Sequence, residues 1–266
     1  MSAPLLLIDG APATIEDLGR QALVNYGAYS SFRVEQGGVR GLDLHLARLD
    51  AAAETLFGEP VGAERLRHLM RVAVADRDAC WLRVSLFSPE MTARAASWRG
   101  VPRVMTATSP PPPPLASSVR LHLQSHQRYL PQIKHAAHFD LIHARRLARE
   151  AGFDDALLVD AEGLICEGSS WNIGFLSDDR VIWPQAPMLA GVTQALIARR
   201  LADAGVTSLT EPVHVRDLTR FDGAFFCNSA TPACEVTAVG EHIFAGAGER
   251  IAALEAAWAS NPLERL

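Results

Sequence analysis

The stretch Ala156-Leu157-Leu158-Val159-Asp160-Ala161-Glu162-Gly163-Leu164-Ile165-Cys166-Glu167-Gly168-Ser169-Ser170-Trp171-Asn172-Ile173 decides how this chain is read. Residues 156–159 are a short apolar strand, and Asp160-Ala161-Glu162-Gly163 has the composition of a turn. Residues 164–166 and 171–176 follow as strands. Glu167-Gly168-Ser169-Ser170 therefore stands where two strands meet.

Working outward, residues 119–123 form a strand, and 137–151 a helix that ends at Gly152. Downstream, Gly191-Val192-Thr193 opens a helix that runs to Ala204 and is stopped by Gly205. Residues 225–227 make a strand that leads into Asn228-Ser229-Ala230-Thr231-Pro232, and 251–259 a closing helix. Upstream, Pro110 to Pro114 are five consecutive prolines. Such a run joins neither a helix nor a central strand; it is a stiff connector. It divides the chain into a domain at 1–109, a linker at 110–114 and a domain at 115–266. The first part reads as α/β. Strands are expected at 5–8, 28–34 and 80–87, a turn at Gly37-Gly38 and a helix at 64–75. Another helix is expected from an Asp43 N-cap through Leu42, Leu46, Leu49, Ala53 and Leu56 to Gly58.

The chain has 266 residues, a net charge of −5 and 48% hydrophobic content, values of an ordinary globular protein with one large domain or two modest ones. This charge gives no reason to expect nucleic acid or an anionic membrane as partner. No window approaches ~18 uninterrupted apolar residues, so no membrane span is expected. The apolar run Leu5-Leu6-Leu7-Ile8 is too short for a signal peptide, and a cytoplasmic location follows by default. Cys80, Cys166, Cys227 and Cys234 form no C-x-x-C pair, which argues against a disulfide framework or a thiolate zinc site. His122, His126, His135, His138 and His143 are dense, yet no H-E-x-x-H accompanies them, and no metal is expected.

One count stands out. Of the 25 basic residues 24 are arginine, and Lys134 is the only lysine. Base composition explains the bias on a solvated surface. Arginine cannot replace lysine where an amine must lose its proton and attack a carbonyl. Lys134 lies just before a helix, in Tyr129-Leu130-Pro131-Gln132-Ile133-Lys134-His135. Gly191-Val192-Thr193 offers backbone N–H groups and a hydroxyl at a helix start, which suits a phosphate. Arg48 could be a second phosphate ligand. Taken singly, these features read as a surface lysine, a turn, a helix cap and one more arginine.

Their order and spacing carry more. Lys134-His135, Glu162-Gly163, the run from Glu167 to Ile173, Trp183-Pro184, Leu189-Ala190-Gly191-Val192-Thr193 and Asn228-Ser229 resemble the class IV aminotransferases. These are the fold-type IV pyridoxal phosphate enzymes, which include branched-chain and D-amino acid aminotransferases and aminodeoxychorismate lyase. Lys134 precedes Glu167 by 33 residues, as the family layout expects. In the first half, Tyr26-Gly27-Ala28-Tyr29-Ser30-Ser31 and His45-Leu46-Ala47-Arg48-Leu49 are similar to the family's N-terminal strand and arginine helix.

The resemblance implies an α/β (α+β) fold of two domains, the N-terminal one smaller and the C-terminal one a larger pseudo-barrel. It implies pyridoxal 5′-phosphate as cofactor, amino acid and keto acid substrates, and a homodimer. Lys134 would form the Schiff base and then shuttle a proton between the substrate Cα and the cofactor C4′, while Glu167 would pair with the pyridine nitrogen. Arg48, Val192, Thr193 and the turn Ser229-Ala230-Thr231 would hold the phosphate, with Leu189 against the ring. Phe139 stands where branched-chain enzymes carry a tyrosine five residues after the lysine, and the asparagine frequent in the lyase branch is absent. Arg83, Arg94, Arg99, Arg103 and Arg128 are candidates for the substrate carboxylate. Transamination is the expected reaction. Aminodeoxychorismate lyase activity and a catalytically silent, cofactor-binding homologue are the alternatives.

Overall fold

The computed structural model describes residues 5–113 and 117–266; residues 1–4 and 114–116, which include the last proline of the run, lie outside the described residues. The chain divides into two compact units. The first holds the chain up to Pro113 together with Ile133–Ala137 and Pro262–Leu266, and the second holds the remainder up to Asn261. Lys134 therefore groups with the first unit, although it follows the proline run. Its backbone is the reason: Tyr29 N donates to Lys134 O at 2.9 Å, and Ala136 N to Gly27 O at 2.8 Å.

The first unit begins with β1 (Leu5–Ile8), β2 (Ala11–Pro12), α1 (Ile15–Leu23), β3 (Ala28–Glu35) and β4 (Gly38–Arg40). It continues with α2 (Leu42–Phe57), α3 (Ala63–Val74), β5 (Ala79–Phe87) and β6 (Arg103–Ser109). These strands lie in the order β4-β3-β5-β6-β1-β2, with β3, β5, β6 and β1 antiparallel to their neighbours. On β3 the pattern is strict alternation: Ala28, Ser30, Phe32 and Val34 are buried. Leu42, Leu46, Leu49 and Ala53 form the buried stripe of α2, as helical spacing requires. Asp43 does not cap this helix. The N-cap is Gly41, whose φ of 68° is left-handed, a conformation open to glycine at little cost, and Asp43 falls inside the first turn.

The second unit contains β7 (Ser118–Ser125), α4 (Phe139–Glu150), β8 (Asp155–Val159), β9 (Ile165–Gly168), β10 (Asn172–Ser177), β11 (Arg180–Pro184) and α5 (Val192–Leu201). It ends with β12 (Thr207–Glu211), β13 (Gly223–Cys227), β14 (Cys234–Val239), β15 (His242–Ile243) and α6 (Arg250–Ala259). Among the described residues its sheet has nine strands, in the order β12-β11-β10-β13-β14-β7-β8-β9 with β15 paired to β14. β7 pairs in parallel with both β8 and β14. One face buries Leu121, Leu157, Ile165, Trp171, Ile173, Phe175, Phe226 and Val236 in a common core. A second cluster, around Trp183, Ile197, Leu201, Phe225 and Leu254, seats α5 and α6. The last strand, β16 (Leu263–Arg265), returns to the first unit and pairs antiparallel with β4. Among the described residues no helix is long and apolar enough to cross a membrane.

Candidate active site

In the first unit the chemistry gathers at the start of β3. The backbone bonds from Gly27 and Tyr29 fix residues 134–136 alongside this strand, with an isolated bridge between Ala28 and His135. The Lys134 ammonium lies over the Tyr29 ring, 4.9 Å from its centroid. Arg83, on the neighbouring β5, lays its guanidinium carbon 3.6 Å from the same centroid. Two cations thus share one aromatic ring, an arrangement the ring quadrupole favours. Burial holds the Arg83 guanidinium below its usual range, with Tyr29 acting in the opposite sense.

Behind this group, on α2, sits His45, which is 1% exposed. Its Nδ1 shares a 2.8 Å hydrogen bond with Ser30 Oγ, and its ring packs on Phe32 with centroids 4.3 Å apart. Burial keeps the His45 imidazole well below the ordinary histidine range, and the positive charges of Arg48 and Lys134 reinforce this. Arg48 follows one helical turn later and is half-buried.

In the second unit Glu167 lies on β9 and is 5% exposed. Arg128, also buried, donates from Nη1 to Glu167 Oε1 at 3.2 Å. The corner that follows is tied to Asp155 at the start of β8. The Asp155 carboxylate accepts from Ser169 Oγ at 2.7 Å, from Trp171 Nε1 at 3.0 Å and from Arg145 Nε at 3.0 Å. Gly168 N donates to Trp171 O at 2.9 Å and closes the corner. A buried carboxylate with this many donors is satisfied, which offsets the cost of taking it out of water.

Beyond the corner, Asn172 Nδ2 donates to Leu189 O at 2.8 Å. Gly191 then starts α5. No side chain caps this end, and its first turn has no acidic residue. Leu189, Val192 and Thr193 are all buried. A helix start of this kind presents N–H groups and the positive end of the dipole. In the turn after β13, Asn228 Oδ1 accepts from Ala230 N and Thr231 N, both at 2.9 Å. These two amides are thereby turned to Asn228, which fixes the shape of the Ser229-Ala230-Thr231 turn.

The five carboxylate candidates now separate. Arg103 is engaged by Asp9 and Asp17, Arg128 by Glu167, and Arg94 and Arg99 are exposed. Arg83 shares the Tyr29 ring with Lys134. Phe139 opens α4 largely exposed and stacks on His143 at 5.7 Å. Of the histidines, His126 pairs with Asp140 at 2.8 Å and His122 packs on Phe153. Among the described residues no group of three His, Cys, Asp or Glu side chains could hold a metal ion. Cys166 lies beside Glu167, and burial, with Asp160 and Glu167, pushes its thiol up to about 11, so it stays protonated.

Sequence reading gave no separate role to His45, Asp155 or the Arg128–Glu167 pair. Arg128 entered only as one of five carboxylate candidates, not as a partner of Glu167, while His45 and Asp155 carry no chemical motif of their own; only their burial marks them.

The family model for amino-transferase class IV matches residues 27–239. A Rickettsia bellii protein named a probable branched-chain-amino-acid aminotransferase is 25% identical over 82% of this chain and 79% of its own length. A Rickettsia felis protein of the same name is 31% identical, but the match spans only 42% of this chain and 41% of the relative. Among solved structures, the branched-chain aminotransferase of the thermophilic archaeon Thermoproteus uzoniensis, with norvaline, superposes with a TM-score of 0.83 at 20% identity, covering 97% of this chain and 94% of that one. A Legionella pneumophila protein assigned as a 4-amino-4-deoxychorismate lyase superposes at 0.80 with 20% identity, over 91% and 93%. At these identities the superpositions establish the fold.

Proposed function

The chain belongs to the class IV aminotransferases, enzymes that work with pyridoxal 5′-phosphate, and from that premise we propose that it moves an amino group from an amino acid donor to a keto acid through Lys134. The observation that carries this reading is the position of the sole lysine. It is pinned to the start of β3, on the Tyr29 ring beside Arg83, and 33 residues before the buried Glu167.

The donor set fits the cofactor. An amine, a buried carboxylate, a half-buried arginine and an uncapped helix start match an aldehyde, a ring nitrogen and a phosphate. When bound, pyridoxal 5′-phosphate supplies the aldehyde that joins an amine and the ring that draws electrons from the adjoining carbon.

In this reading Lys134 would hold the cofactor and, once the incoming amine has displaced it, would carry a proton from the substrate Cα to the carbon that bore the aldehyde. Glu167 holds the proton at the ring nitrogen, and Arg128 orients its carboxylate. By the family resemblance, Arg48, Val192, Thr193 and the turn Ser229-Ala230-Thr231 would hold the phosphate, and Leu189 would pack against the ring. Arg83 takes the substrate carboxylate, a role that suits a guanidinium already stripped of part of its water. Phe139 cannot donate the hydrogen bond that tyrosine gives in branched-chain enzymes. We expect a cytoplasmic homodimer acting on small amino and keto acids.

The test is a paired assay on the purified protein with added cofactor. Amino transfer that depends on a keto acid supports the reading. Release of pyruvate and 4-aminobenzoate from aminodeoxychorismate, without transfer, would assign the chain to lyase chemistry instead. Cofactor uptake with neither reaction would mark it as catalytically silent.

A further inference from the structure

Tyr29 and Ser30 are consecutive residues of β3 that make separate attachments. The Tyr29 main chain and ring hold Lys134. Ser30, fully buried, shares its hydroxyl with His45 at 2.8 Å. His45 and Arg48 lie three residues apart on α2 and so share one side of the helix. The strand therefore serves as a common reference for a lysine and an arginine held by different elements. The imidazole also packs on the Phe32 ring, two residues further along the same strand.

We propose that the Ser30–His45 pair is a positioning device that sets Arg48 in register with Lys134, so that one ligand can bond to both. It rests on the reading of Arg48 as a phosphate ligand and Lys134 as the attachment point. His45 carries no proton between reacting groups. The charged groups acting on it, Arg48 on its own helix and Lys134 beside β3, are both positive and oppose a third positive charge. A neutral side chain of fixed rotamer, packed on Phe32 and bonded to a strand hydroxyl, makes a stiff strut. A leucine at 45 would fill space without the hydrogen bond, and the helix could then slide or rotate on β3.

The consequence is specific to the phosphate. Displacing Arg48 weakens pyridoxal 5′-phosphate and leaves pyridoxal, which lacks the phosphate, nearly untouched. A general loss of packing weakens both.

The experiment titrates the full chain and its variants Ser30→Ala, His45→Asn and Arg48→Gln with pyridoxal 5′-phosphate and with pyridoxal, read by visible absorbance. The preference for the phosphorylated form falls by about tenfold in Ser30→Ala and in His45→Asn, the effect of one displaced charge-assisted hydrogen bond. Affinity for pyridoxal stays within about twofold of the parent chain, well inside the scatter of surface-type changes. The double variant Ser30→Ala/Arg48→Gln loses no more preference than Arg48→Gln alone, because both act on one bond. Equal weakening of both ligands, or an unchanged preference, overturns the positioning role and reduces the pair to core packing. The ratio reads only folded, binding-competent protein, so partial misfolding of a variant does not mimic the expected result. If Arg48→Gln itself keeps the full preference, the phosphate reading of Arg48 fails first and the proposal falls with it; the two failures are separable in the same data.

Discussion

At the residue scale, His45 shows how the fold overrides an intrinsic property. An exposed histidine would titrate near 6.5; burial and then the neighbouring Arg48 and Lys134 depress this one well below that value. In the unfolded chain it takes a proton as the pH falls through 6.5, while in the folded chain it does not. The unfolded state then binds more protons, so stability is full above about 6.5 and is lost as the pH falls below it, at up to ~1.4 kcal/mol per pH unit. Urea unfolding at pH 7 and pH 5 checks this: His45→Gln should lower overall stability yet reduce its loss on acidification. An unchanged acid sensitivity would contradict the depressed titration. Lys134 stands out in the sequence as the one basic residue that is not arginine, which is why the proposed amine chemistry is placed there. Arg83 and Arg128 were named among five candidates but not separated from the rest, because in a chain with 24 arginines residue type alone does not distinguish them.

At the element scale, the corner between β9 and β10 is the part of the second unit on which both Glu167 and the start of α5 depend. Asp155→Ala leaves Arg145, Ser169 Oγ and Trp171 Nε1 facing a void in place of a carboxylate. The expected cost is about 2–4 kcal/mol in urea unfolding, because the buried Ser169 Oγ and Trp171 Nε1 lose their acceptor while the partly exposed Arg145 turns to water. A loss below about 1 kcal/mol, the value of an exposed pair, would show the network to be ornamental. Gly191→Ala tests the next link. A Cβ there would lie 2.0 Å from Asn172 Oδ1, so Asn172 must release Leu189 O or the helix start must move. Pyridoxal 5′-phosphate uptake should weaken by about tenfold, the equivalent of one lost bond to a charged group; unaltered uptake would separate α5 from the phosphate. The elements with clear periodicity, α2, α3, β5 and β8, were readable in the sequence. Those passed over were missed for different reasons: α1 has apolar Ile15, Leu18 and Ala22 at helical spacing, yet that stripe marks no core. α1 buries no residue, β12 is a mostly exposed edge strand, and β6 alternates Val104 with buried Thr106 and Thr108, which carry hydroxyls. Asp43 looked like a cap because its side chain suits one, but the left-handed turn at Gly41 starts the helix earlier.

At the scale of the whole molecule, composition only gave no reason to expect a membrane span or a nucleic-acid partner, and the family came from motif order over most of the chain. The division into units was only partly readable. The sequence places a boundary at the proline run, while the grouping of residues 133–137 with the first unit depends on backbone pairing with Gly27 and Tyr29, which no periodicity announces. Substrate choice is likewise a property of assembled surfaces. With Arg83 as the carboxylate ligand, Arg83→Met should raise KM for the amino donor by at least about tenfold with little change in cofactor uptake, the loss of one charge-assisted contact made in the ground state and the transition state alike. A fall in cofactor affinity of the same size would reassign Arg83 to the cofactor. The central claim, that Lys134 is the attachment point, is tested most directly by covalent trapping. The purified chain is incubated with pyridoxal 5′-phosphate, reduced with borohydride and digested, and the modified peptide is located by mass. The account predicts a single modification at Lys134, with a visible absorption band before reduction that is missing from Lys134→Ala. A chain that takes up the cofactor equally well after Lys134→Ala, or that never binds it, would contradict the account.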